Sequence, residues 1–186
     1  LTIGMAVLIA LLTVSTIVFA SLWLSVKDKE KIVYAPPITD GEVGSKMTVL
    51  NCSLAGVTNP IEGLEGLVSY DRTLTAHFKD GEVTSAELLS AYNFADNGLA
   101  EAARGFFDGR ILNLGLAAAE AGVAAPATEL NIADNWLNFS VEANASQLVG
   151  GIAGDLMLMR EDGSVMTTVE DIEAAYMAMG FVCIEE

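Results

Sequence analysis

The first 26 residues, LTIGMAVLIALLTVSTIVFASLWLSV, contain no ionisable side chain, and the first charge is Lys27. Basic residues are scarce throughout, with 9 Lys+Arg against 25 Asp+Glu and a formal net charge of −16. Such a surface repels phosphate backbones and anionic lipid headgroups, which argues against nucleic acid as a partner. Histidine is reduced to His77, so no histidine metal cluster can form. In LTAHF, strand alternation puts His77 with Thr75 and Lys79 on a surface row rather than in a catalytic base position. The two cysteines, Cys52 and Cys183, are too far apart for a zinc pattern or a CxxC redox motif.

Catalytic signatures are equally sparse. No GxSxG occurs, and no glycine-rich loop follows a strand as a nucleotide fold requires. GGIAG at 150–154 lacks both the spacing and the lysine of a phosphate loop. DGEV occurs at 40–43 and again at 80–83, but neither copy has the alternating acids of a calcium loop. Turn chemistry accounts for both Asp-Gly pairs. The chain is therefore read as a non-enzyme, with no cofactor, no metal and no evident small-molecule substrate.

The apolar opening is the informative stretch. As a helix, Leu1 to Val26 would reach about 39 Å, more than the ~30 Å of a hydrocarbon core. A secretory signal would have a basic flank, a shorter apolar core and a small-x-small cleavage site. Trp23 near the end of the run suits an interfacial aromatic. At 100° per residue, Thr2, Ala6, Ala10, Thr13 and Ala20 share an arc of about 80°, interrupted by Ile17 and Leu24. Small residues at that spacing let helix backbones approach closely.

The lysines of KDKEK, 27–31, alone would place that flank in the cytoplasm. Two other features favour export. Three sequons are present, at Asn51, Asn138 and Asn144, each a candidate N-glycosylation site. Cys52 and Cys183 are expected to form a disulfide, closing a loop of roughly 130 residues worth about 4–5 kcal/mol in the chain-entropy model.

The opening helix resembles that of type IV pilins after leader removal, and the resemblance covers residues 1–34. Bacterial members usually start with Phe and carry a glutamate at the fifth position, where this chain has Leu1 and Met5. Archaeal type IV pilins are similar to it in lacking that glutamate and in having a shorter helix, here stopped by Pro36-Pro37. Their outer domains tend to be Thr-rich and all-β, whereas this chain has Ala-rich helical stretches. The resemblance implies a subunit held in the membrane before assembly. It then polymerises with copies of itself through the apolar helix into an extracellular filament. With Met5 in place of an acid, register in such a fibre would rest on packing.

Beyond the helix, 35–46 reads as a hinge, because two prolines forbid helix continuation. The remainder, 47–186, is expected to be one extracytoplasmic α+β domain, an antiparallel sheet with helices on one face. Strands are expected at 47–54, 67–78, 136–141, 156–160 and in FVCI at 181–184. Gly56 to Gly66 and 121–128 read as loops, and Asp80-Gly81 and Glu161–Ser164 as hairpin turns. Thr84 or Ser85 is expected to cap a helix through Tyr92 that Asp96-Asn97-Gly98 interrupts. Helices follow from Leu99 to Phe107 and from Ile111 to Ala121, separated by Asp108-Gly109, while 146–152 is ambiguous. Thr168 is expected to cap a final helix that Gly180 ends.

The leading functional expectation is a pilin-like structural subunit. The alternative is a single-span accessory subunit of a larger membrane complex with an extracytoplasmic domain. A membrane-tethered enzyme or binding domain is a third reading.

Overall fold

A computed structural model describes residues 45–186, which belong to one compact unit. The expected apolar helix 1–34, its stripe Thr2, Ala6, Ala10, Thr13 and Ala20, and most of the 35–46 hinge lie outside the described residues.

Three long strands form first: β1 (Met47–Val57), β2 (Leu67–Lys79) and β3 (Glu82–Phe94). Each alternates, so Leu50 and Cys52, Leu74, Ala76 and Phe78, and Leu88, Tyr92 and Phe94 point into one core. Asp80 and Gly81 both take positive φ, 56° and 87°, as the tight β2–β3 turn demands of its two central residues. Beyond the turn, pairing jumps from Phe78↔Val83 to His77↔Ser85, which leaves Thr84 as a bulge. The Thr84 hydroxyl donates to the His77 carbonyl at 3.0 Å. The expected helix from Thr84 or Ser85 to Tyr92 is therefore a strand, and Thr84 steadies a bulge instead of a cap.

Helix α1 (Asn97–Ala121) follows. Asp96, expected to interrupt a helix, starts this one: its side chain accepts from the Leu99 N–H at 2.9 Å. Gly122, at φ 71°, ends it. The helix runs unbroken through Asp108-Gly109, both exposed. An exposed helical glycine costs about 1 kcal/mol relative to alanine. Packing of Ala100, Ala103, Phe107, Leu114 and Ala118 against the sheet offsets that. Phe107 sits between Tyr92 and Phe139, with ring centroids at 5.0 and 5.2 Å.

The chain returns as hairpin β4 (Ala127–Ala133) and β5 (Trp136–Asn144). No strand was expected at β4, whose start fell in the loop assigned to 121–128. A single 3-10 turn, Ala145–Gln147, carries the buried Gln147, which donates to the Ala124 and Ala125 carbonyls and accepts from Asn144 N–H. One side chain thus fastens the loop after α1 to the end of β5. Short α2 (Gly150–Asp155) closes in a Schellman arrangement, with Leu158 N–H on the Ala153 carbonyl and Met157 N–H on Gly154. Met157 takes the left-handed position, φ 54°, that glycine usually fills.

Those bonds occupy the backbone where a strand 156–160 was expected. Only the Met159↔Val165 bridge forms, around the expected Glu161–Ser164 turn. Helix α3 (Val169–Ala178) is capped by Thr168, with Glu170 and Asp171 in its first turn. After Gly180 comes β6 (Val182–Glu185).

The six strands form an antiparallel sheet in the order β4-β5-β3-β2-β1-β6. Residues of α1, α2 and α3 join the inward strand rows in one core, and among the described residues no helix covers the other sheet face. Cys52 and Cys183 face each other across β1 and β6 and are disulfide-bonded, tying the first strand to the last.

Candidate functional site

The other sheet face bears the row opposite the core. It carries Asn51 and Ser53 on β1, Thr73, Thr75 and His77 on β2, Glu87 and Leu89 on β3, and Asn138 and Ser140 on β5. His77 is exposed there, beside Thr75 as alternation requires. The three sequon asparagines all fall on this face. Asn51 accepts from the Thr75 hydroxyl at 3.1 Å. Asn138 stands opposite Ala91 and Asn131. Asn144, at the strand end, accepts from the hydroxyl of Ser146, its own sequon serine, at 2.6 Å. The three asparagines are neutral hydrogen-bonders.

A cleft of about 460 Å³ is lined by Met157, Met159, Met166, Met179, Ala175, Arg160 and Glu161. Five of the seven methionines lie between 157 and 179, a clustering visible in the sequence. Thioethers on unbranched stems make an adaptable apolar lining. The rim is ionic: Arg160 pairs with Asp171 and donates to Ser164. Asp162 accepts from both the N–H and the hydroxyl of Ser164, which holds its carboxyl below the usual range.

Behind Met157 lies Arg72, on the inward row of β2. Its guanidinium donates to the Met157 sulfur at 3.6 Å and stands 4.9 Å from the Tyr70 ring centroid. Its Nε is buried with no hydrogen-bond partner among the described residues. Nearby, Tyr176 donates its hydroxyl to the Leu156 carbonyl at 2.5 Å, and burial drives its pKa strongly upward. Both groups buttress the cleft wall, and neither is presented to a reactant. The chemistry this lining offers is apolar contact with an ionic rim.

Among the described residues no group of His, Cys, Asp or Glu is placed to hold a metal ion, and no helix is long and apolar enough to cross a membrane. No protein-family model matches the chain, and no curated protein matches it significantly. Two solved structures are similar in outline. The NMR structure of the E. coli YehR protein is 16% identical, with a TM-score of 0.47 over 76% of this chain and 93% of that one. The NMR structure of a Streptococcus pneumoniae TIGR4 protein is 12% identical, with a TM-score of 0.44 over 83% of this chain and 95% of that one.

Proposed function

We propose that this chain is a structural subunit of an extracellular type IV pilus-like filament, polymerising through its N-terminal hydrophobic segment. The observation that carries the reading is the charge-free run of 26 residues with its stripe of Thr2, Ala6, Ala10, Thr13 and Ala20. Such a segment is stable either in lipid or in a dry bundle of its own kind. The attached domain suits display outside the cell. Its disulfide belongs to an oxidising compartment, and one sheet face carries the candidate glycan acceptors, Asn144 exposed and Asn51 and Asn138 half-buried. In this reading the protein is not an enzyme, and its partners are copies of itself, with the membrane as a stage before assembly.

Negative-stain electron microscopy of material sheared from cells, with mass spectrometry of the same sample, tests this. Thin fibres containing the chain are expected. A detergent-soluble complex with other subunits and no fibres would overturn the filament reading in favour of a single-span accessory subunit.

A further inference from the structure

Helix α1 is apolar on two opposite sides. Ala100, Ala103, Phe107, Leu114 and Ala118 enter the core. On the far side, Ala102, Gly105, Gly109, Leu112, Leu116 and Ala119 are all exposed, Leu112 by 63% and Leu116 by 54%. Their spacing alternates three and four residues over the whole stripe, the seam of a helix pair. A Cβ at Gly105 or Gly109 would meet nothing within 4 Å. Each therefore carries the helical cost of glycine without a reason among the described residues.

The order of sizes along the stripe supplies one. The small residues, Ala102, Gly105 and Gly109, fill its N-terminal half, and Leu112 and Leu116 its C-terminal half. When a second α1 is laid antiparallel, Gly105 faces Leu116, Gly109 faces Leu112 and Ala102 faces Ala119. Each leucine finds a gap left by a missing side chain, and the match is the same for both copies. We propose that the outward face of α1 is a two-fold interface for a second copy of this chain, with the leucines of each helix seated over the glycines of the other.

A two-fold contact closes on itself, unlike the open contacts of a polymer. The inference therefore stands apart from the filament reading, and the two fail separately. The stripe spans about 26 Å of helix. A contact of that length sits at the small end of specific interfaces, so it should be weak in dilute solution and populated when copies share a membrane.

The test is pulsed dipolar electron paramagnetic resonance on the full chain in phospholipid vesicles, spin-labelled through Glu120→Cys beside the stripe. Antiparallel pairing sets the two backbone positions about 28 Å apart along the helix axes, which are roughly 8–10 Å apart. A defined distance near 30 Å is expected. Adding Gly105→Leu and Gly109→Leu should abolish it by filling the gaps, while thermal stability holds or rises because leucine favours helix over glycine. If that variant misfolds, Leu112→Ala with Leu116→Ala serves instead, with the same loss of signal expected. A distance below about 15 Å, the parallel arrangement, would overturn the proposal. So would a featureless distribution, or a peak that survives either folded variant.

Discussion

Replacing both Cys52 and Cys183 by alanine removes the only covalent link between β1 and β6. The bond closes a loop with a sequence separation of 131, nearly the whole described domain. In the chain-entropy model a loop of that length restricts the unfolded chain by about 5 kcal/mol. Domains of this size are stable by roughly 5–15 kcal/mol, so the loss would be a large fraction of the total. The folded state should change little, because β6 keeps its backbone pairing to Leu50–Ser53. The assay is a urea titration of the full chain in mild detergent, followed by near-ultraviolet circular dichroism, which reports the Tyr92, Phe107 and Tyr176 surroundings. With a slope of about 2 kcal/mol per molar urea, the midpoint should fall by 2 M or more. Amide exchange across β6 in the folded variant should stay close to that of the parent. A midpoint shift below about 0.5 M would refute an unfolded-state origin. Loss of β6 protection under native conditions would show instead that the bond holds a strand its hydrogen bonds cannot.

Tyr176→Phe leaves the buried Leu156 carbonyl without its donor and should cost about 1–3 kcal/mol in denaturant titrations. Because burial raises the Tyr176 pKa above its ordinary 10.0, the native state holds this proton more tightly than the unfolded chain. Its contribution is complete below pH 10 and is lost as pH climbs toward the folded value, so the parent should lose stability above pH 10 more steeply than Tyr176→Phe. Gly66→Ala would set a Cβ 2.4 Å from Leu99 Cδ1 at a φ of +72°, and should lower stability by roughly 1–3 kcal/mol in the same titration. Asp96→Ala removes the α1 cap and should cost about 1 kcal/mol, read as a lower melting temperature.

Features set by a few adjacent residues were legible in the sequence. Asp80-Gly81 turns, Thr168 caps, Gly180 stops a helix, and the alternation of β1 and β2 emerges where expected. What failed was decided at long range. Glu87, Leu88 and Leu89 favour helix by intrinsic propensity, yet their places between β2 and β5 make them a strand, with Leu88 inward and Glu87 and Leu89 outward. Strand β4 alternates Thr128, Leu130 and Ile132 toward the core, but a small-residue loop obscures its start. The methionine cleft joins residues that meet only once α2, the Glu161–Ser164 turn and α3 have folded back on one another. Asp108-Gly109 reads in the sequence as a separation between two helical segments, yet the helix runs through it. In α1 the cost of glycine is carried on an outer surface, while five inward side chains hold the helix to the sheet. For the glycines of the outward stripe, the proposed pairing supplies an account: close approach of a second copy. That is why Gly105 and Gly109, opposite Leu116 and Leu112 of a second copy, are the positions at which substitution separates folding from association.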